Sequence, residues 1–361
     1  LDRARRLHSV EQGEAVTTEG FSKKGGVKRP AEGCFVDPLT HGLVGAATAG
    51  TLFSSRPAAC AGFVAALLPD LDVLLSRADD PLFQLEFHRQ FSHSFLFIPV
   101  GALLATLILY LPMRGRLSRL QLYLACLCGF AGAGLLDACT SYGTQLLWPF
   151  SEARLAWNLT PVVEPLTTLG MTAFLVAFLV RQQRRWAALA LGWLFLLLTH
   201  GGYRQFQALD TARGLWDSRG HSVERYVVKP TLGNQLLWRV TYIHGEEVYT
   251  DGVRTRLLGP AEVFEGNAAE LVVLERDFAA LQGTPLYSSL HRFAHLSEGF
   301  IIRGPERSNL IGDGRYAMLP TSLKPLWGIE FDPDHPDQTV RFETFRETGP
   351  EVRRKFMEML F

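Results

Sequence analysis

Between His41 and His200 the chain alternates long apolar runs with short polar breaks. The runs are Gly42–Phe53, Ala58–Leu68, Phe95–Leu111, Leu120–Leu136, Leu166–Val180 and Trp186–Thr199, and they carry almost no charged residue. A membrane-spanning helix needs about 20 apolar residues, with a lower limit near 17. Two runs reach that limit and two more reach it with their flanks. The first two are too short for separate full spans and read as a re-entrant or tightly packed hairpin. Gly42, Ala46 and Gly50 recur every four residues, and 129–134 is a second small-residue stretch. Small residues let membrane helices approach where hydrophobicity cannot drive their association. The pattern predicts an α-helical membrane domain of about four spanning helices plus a short N-terminal helical hairpin.

After position 200 the pattern changes. Tyr226–Val228, Gln235–Tyr242 and Glu247–Arg254 are rich in Val, Tyr, Trp and Thr and read as strands, with His244-Gly245-Glu246 as a turn. Val340–Phe345 reads as a further strand, 304–336 is punctuated by Gly and Pro, and Glu351–Phe361 closes with a short helix. The expectation for 201–361 is a mixed, mostly β extramembrane domain. Residues 1–36 are polar and carry seven Lys and Arg against five acids, a net +2. They read either as an upstream extension, with translation beginning near Val36, or as a disordered tail. The expected organisation is therefore a 1–36 extension, a 37–200 membrane domain and a 201–361 extracytoplasmic domain.

Whole-chain averages conceal these parts. The 361 residues hold 36 Lys and Arg against 36 Asp and Glu, with 47% hydrophobic residues. The mean hydropathy is +0.09. Such a chain is too apolar to be disordered and lacks the basic excess of a nucleic-acid binder, so no nucleic-acid partner is expected. Five Cys with no CxxC pair make neither a disulfide scaffold nor a zinc ribbon. Local charge is more telling. Arg56, then Arg114, Arg116 and Arg119, then Arg181, Arg184 and Arg185 occupy alternate breaks that hold no acid. The positive-inside rule turns those breaks to the cytoplasm. The other breaks and the C-terminal domain then face outward, which for a bacterial inner membrane is the periplasm.

The outward breaks hold the chemistry. Asp37–Gly42 opens the first helix, Pro69–Asp72 ends the hairpin, His88–Ser94 precedes the third long run and Leu136–Gly143 follows the fourth. Carboxylates and imidazoles beside a bilayer are expensive and mark functional candidates. Imidazole and carboxylate suit a divalent metal, zinc first. His41, Asp70, Asp72, His88, His93 and Asp137 could hold one ion, or two sharing a bridging carboxylate. Singly each has a plainer reading, as a headgroup-level histidine or a solvated loop carboxylate; together on one face they point to a site. Asp70 and Asp72 would project to one side of an extended or turn segment, and a helix would separate them. A loop-to-helix junction would let His88 and His93 converge, with Ser92 capping the helix. Weaker candidates are the His291/His295 pair, His200, Glu164 and Cys139. Trp148, Trp157 and Trp186 read as interfacial anchors, and Cys126 and Cys128 as packing residues.

The motifs DPLTHGLVGA (37–46), LLPDLD (67–72), HRQFSHSF (88–95) and LLDACTSYGTQLLWPF (135–150) resemble the YdjM-like family of inner-membrane metal-dependent hydrolases, described as LexA-regulated. The resemblance covers 37–170. Family members usually carry Gly-Pro-Thr or similar between the two His, where this chain has Gln90-Phe91-Ser92. The resemblance implies that His41, Asp70, His88, His93 and Asp137 are metal-site positions, with Asp72 a further candidate, and it extends distantly to zinc-dependent phospholipase C. The resulting expectation is a membrane-bound hydrolase with one or two divalent ions, with Asp72 as general base if it is not a ligand. The substrate would be a lipid headgroup or envelope phosphoester at the outer face of the inner membrane. The alternative is a non-catalytic membrane protein with a structural metal site and a partner-binding C-terminal domain.

Overall fold

Each of the six apolar runs forms a helix in the computed structural model, which describes residues 38–305 and 307–361. The expected extension 1–36, and Asp37, lie outside the described residues. The helical part comprises α1 (Pro38–Phe53), α2 (Arg56–Leu67), α3 (Phe83–Phe87), α4 (Ile98–Met113), α5 (Arg119–Cys139), α6 (Pro165–Arg181) and α7 (Arg184–Arg219). Two 3-10 turns, Pro69–Leu74 and Phe91–His93, follow α2 and precede α4. Proline sits in the first turn of α2, α4 and α6, where its missing N–H has no intrahelical partner to lose. Ser118 and Gln121 close a reciprocal cap on α5.

Three helices are long and apolar enough to cross a membrane: Arg56–Leu74, Arg119–Cys139 and Arg184–Arg219. Phe83–His93 with Ile98–Met113, bent by 83°, makes a fourth if the pair is one broken span. The second apolar run, expected to be too short, reaches 19 residues because the 3-10 turn continues it. α6 is apolar but spans only 17 residues. On α4, Leu103, Leu104, Leu107, Ile108 and Leu111 are between 50 and 75% exposed, while Ala102, Ala105 and Leu109 on the opposite face are buried. A stripe of that size in water would be an aggregation surface; in lipid it is the ordinary outer face of a bundle.

Glycine sets how closely the helices pack. A Cβ on Gly45 would lie 2.2 Å from the Gly62 carbonyl oxygen, one on Gly62 would lie 2.3 Å from that of Gly45, and one on Gly129 would lie 2.5 Å from that of Gly62. The α1, α2 and α5 backbones therefore meet at one three-glycine junction. The helices alternate in direction, so His41, Asp70, His93 and Asp137 share one end. The arginine breaks share the other, where Arg56 donates to the Leu179 carbonyl 2.6 Å away.

The helix that starts at Arg184 runs on through His200 to Arg219, and β structure begins only after it. One antiparallel sheet has the order β1 (Arg225–Pro230), β2 (Leu237–His244), β3 (Glu247–Arg254), β4 (Glu262–Phe264), and β5 (Ala268–Glu270) also pairs with β3. Its central strand β2 is buried on both faces. Trp238, Val240 and Tyr242 pack on Ala208, Ala212 and Trp216 of α7. The Arg239 guanidinium donates to the carbonyls of Gly314, Leu319, Pro320 and Ser322. The short α8 (Leu274–Asp277) and α9 (Pro285–Leu296) precede a second antiparallel sheet. Its strands are β6 (Ile301–Gly304), β7 (Arg307–Asp313), β8 (Trp327–Glu330) and β9 (Arg341–Thr344), in that order, and α10 (Pro350–Leu360) ends the chain. The Gly/Pro-punctuated 304–336 stretch thus contains two strands. Both are interrupted by glycine (Gly312, Gly328), which hides their alternation.

The two parts are joined near the predicted site. Leu82, from the segment between α2 and α4, is fully buried in the core formed by α9 and the second sheet. Arg292 of α9 pairs with Asp80 (2.8 Å) and Glu86 (2.6 Å) of the same segment.

Candidate metal centre

Five short pieces of chain converge at the shared end of the bundle. His41 lies in the first turn of α1, Asp70 and Asp72 in the 3-10 turn after α2, His88 after α3, His93 in the turn before α4, and Asp137 in the last turn of α5. His41 bridges two carboxylates: Nδ1 is 2.8 Å from Asp70 Oδ2, and Nε2 is 3.0 Å from Asp137 Oδ1. His93 Nε2 lies 3.0 Å from Asp137 Oδ2 and 3.4 Å from Asp70 Oδ1. His41, Asp70 and Asp137 each offer a ligand atom within 4.8 Å of the others. The side chains of His41, His93 and Asp137 are 0% exposed and that of Asp70 is 18% exposed.

Asp72 faces the other way. A 3-10 turn advances about 120° per residue, so positions two apart diverge. The Asp72 carboxylate accepts from His88 Nδ1 (2.7 Å), the Arg89 backbone N–H (3.1 Å) and Ser92 Oγ (2.5 Å). The structure therefore brings His41, Asp70, His93 and Asp137 together and places Asp72 and His88 behind them. The His88 and His93 rings are 6.3 Å apart, edge to face. Ser92 does not cap α4 as the sequence suggested, because its hydroxyl is taken by Asp72. Ser94 Oγ accepts the Phe97 N–H just ahead of α4, and no side chain caps the helix.

These bonds fix the His93 tautomer. Ser92 gives its only proton to Asp72, so its oxygen must accept the His93 Nδ1–H at 2.9 Å. Neutral His93 then turns an unprotonated Nε2 toward Asp70 Oδ1 and Asp137 Oδ2. All three of those atoms are buried without a hydrogen-bond partner among the described residues. Three convergent buried acceptors of this kind would be satisfied by a cation. Their 3.0–3.4 Å separations match the spacing of about 3.0–3.5 Å between ligands that each lie about 2.0–2.2 Å from one ion. Two carboxylates, Asp70 and Asp137, face the group, and the Arg89 guanidinium pairs with one of them, Asp137. The residues present therefore fit a metal.

Arg89 is the member of this buried cluster that sequence reasoning missed. It is 1% exposed and adopts φ 60°, a left-handed conformation costly for a non-glycine residue. Its guanidinium reaches Asp137 Oδ1 (3.1 Å) and Thr140 Oγ1 (3.1 Å). Its signal was an arginine inside a His-rich loop on the otherwise acidic face. The loop is held from outside by Arg154, which donates to the carbonyls of Leu85, Glu86 and His88. It is held from beneath by Gly134, where a Cβ would lie 2.8 Å from the His93 carbonyl oxygen. The weaker candidates lie elsewhere. Glu164 caps α6 by accepting the Thr167 N–H. His200 binds Gln235 and Arg204. His291 and His295 are exposed on α9.

Residues 36–208 match the family model described as YdjM inner membrane protein. The match takes in every residue of the site and stops within α7, before the first strand. Comparison with curated proteins and with solved structures gives no match.

Proposed function

Starting from a helical membrane-family domain with convergent buried acceptors at one end, we propose that the chain is a membrane-bound, metal-dependent hydrolase. The observation that carries this reading is the meeting of His93 Nε2, Asp70 Oδ1 and Asp137 Oδ2 without a proton donor. His41, Asp70, His93 and Asp137 would hold the ion, with zinc the best match to a mixed imidazole and carboxylate set. When bound, such an ion lowers the pKa of a water toward about 7 and polarises a phosphoryl or acyl oxygen.

Asp72 is assigned to positioning rather than to proton transfer, because donors occupy both of its oxygens. Through Ser92 it orients His93, and it orients His88 directly. His88 Nε2, buried without a partner, remains available for a second ion. Asp70, the one partly exposed member of the group, marks the side from which substrate enters. Exposed Leu39, Leu71 and Leu74 flank Asp70 and His41 in sequence and suit a substrate drawn from the bilayer, a lipid headgroup or envelope phosphoester. Arginine at the far end of the bundle supports a periplasmic orientation of the site and the C-terminal domain. The burial of His41, His93 and Asp137 favours a second reading, a closed structural ion with the C-terminal domain binding a partner.

Protein purified in detergent separates the two readings. The hydrolase reading expects about one bound ion or more per chain and turnover of a phosphodiester or phospholipid, with both lost in His93→Ala. Stoichiometric metal with no ester class turned over supports the structural ion. A metal-free wild type overturns both. A periplasm-only reporter fused after Phe361 should be active, and an inactive fusion inverts the orientation.

A further inference from the structure

A second feature lies outside the metal group. A cavity of about 490 Å³ opens between α7, β1 and the loop after α5, lined among others by Ser141, Asn158, Phe206, Tyr226, Lys229 and Arg315. Its volume lies in the range of small-molecule sites. Lys229 is 5% exposed. Its ammonium makes one long hydrogen bond, to the Ser141 carbonyl at 3.4 Å, and sits 3.4 Å from the centre of the Tyr316 ring. Among the described residues it has no carboxylate partner. The carboxylates nearby are already used, since Glu298 and Asp313 both pair with Arg315. Arg154 also lines the cavity, so three cationic side chains and one carboxylate, that of Glu298, stand in its wall.

Two further groups in the wall are unsatisfied. Ser141 Oγ and Asn158 Oδ1 are buried without partners among the described residues. The Asn158 amide orientation is set by its Nδ2, which donates to the Ala156 carbonyl at 3.1 Å, so the oxygen is the end left over. A buried lysine without a counter-ion is costly to the fold, and burial, with repulsion from Arg315, pushes its pKa well below the usual lysine value. An arrangement of this kind is explained by a ligand that repays the cost.

We propose that this cavity binds the phosphate of a phosphorylated polyol, with Lys229 as counter-ion and the Ser141 hydroxyl as a second donor. Phosphate suits a lysine, which recognises it as a point charge. Asn158 Oδ1 accepts only, so the ligand must bring a hydroxyl beside its phosphate. Phe206 and Tyr226 offer an apolar wall to the carbon chain between the two. A phosphatidylglycerol-type headgroup and a free glycerol phosphate share this chemistry. The site needs no metal and does not rest on the hydrolase reading.

The test uses the full chain in detergent after chelator treatment, so that no ion competes for phosphate. Glycerol 3-phosphate should bind by calorimetry and raise the unfolding temperature at constant ionic strength, and glycerol alone should not. Lys229→Met should weaken binding about tenfold or more, the loss expected of a charged hydrogen bond, and Ser141→Ala by about three- to tenfold. In a second arm, nanodiscs containing phosphatidylglycerol should stabilise wild type over phosphatidylcholine discs, and Lys229→Met should lose that difference. A positive result in either arm supports the site and identifies the source of the phosphate. If neither ligand has an effect, or Lys229→Met binds as tightly as wild type, the proposal fails. Should Lys229→Met not fold, Ser141→Ala decides, and unchanged affinity in it also overturns the proposal.

Discussion

Asp137→Asn separates the Arg89 ion pair at the candidate metal centre from the proposed ion. Asp137 is 0% exposed and Arg89 1%, with 3.1 Å between the guanidinium and Oδ1. At that distance the gross attraction is about 5 kcal/mol for an effective dielectric of about 20. Removing one partner of a buried pair costs about 3–5 kcal/mol, because the other charge stays buried and uncompensated. Asparagine keeps an oxygen for Arg89, so a loss near about 3 kcal/mol is expected for the metal-free protein. The ion should suffer more. Even residues that only orient a ligand are worth about 10–100-fold in metal affinity, so removing a charged donor should cost at least the upper end of that range. The assay is unfolding in mixed micelles with and without chelator, together with metal content. Adding Arg89→Met to Asp137→Asn removes the stranded cation, so the double variant should recover most of the stability while remaining metal-free. If the double variant regains metal as well as stability, Asp137 is only the counter-ion of Arg89. If the single variant keeps both, the centre has been wrongly assembled.

Other consequences follow from the same contacts. Gly134→Ala places a methyl against the His93 carbonyl and should destabilise by about 1–3 kcal/mol with loss of bound metal. Gly132→Ala meets only the Val44 side chain and should keep its metal. Arg292→Ala removes the pairs to Asp80 and Glu86, which are partly exposed and worth about 1 kcal/mol each at most. Hydrogen exchange should therefore speed up across 75–87 and leave the first sheet unchanged. Lys229→Met should stabilise the ligand-free protein at neutral pH. Folding lowers the Lys229 pKa, so between the folded value and about 10.4 the unfolded chain holds a proton that the folded one has lost. Wild-type stability should consequently rise with pH across that window, and the advantage of the variant should close as pH nears about 10; a constant advantage at all pH values would contradict the assignment.

The legible part of this protein was the part dictated by the solvent. Six apolar, nearly uncharged runs each form a helix, three or four of them long enough to cross a bilayer, and short breaks force the helices to alternate. Arginine and the Asp/His motifs then have to collect at opposite ends, so the order of runs and breaks brought His41, Asp70, His93 and Asp137 to one end, together with Asp72 and His88. What could not be read depended on a few degrees of backbone. Whether Asp70 and Asp72 share a ligand sphere turns on the pitch of one 3-10 turn, which sends Asp72 to Ser92 and His88 while Asp70 meets His41. Arg89 gave no periodic signal because its contribution comes from a left-handed backbone that aims a guanidinium at a carboxylate 48 positions away. The last helix was read as ending with its apolar run, yet it continues to Arg219 because Ala208, Ala212 and Trp216 find a second partner in β2. Hydrophobicity marked where lipid ends, and the sheet decided where the helix ends. The same coupling puts Lys229 and Ser141 in one cavity, since α7 carries the β domain back over the loop that follows Asp137. A ligand held there would bear on the backbone only a few residues from the candidate metal centre, although neither region has a sequence motif that mentions the other.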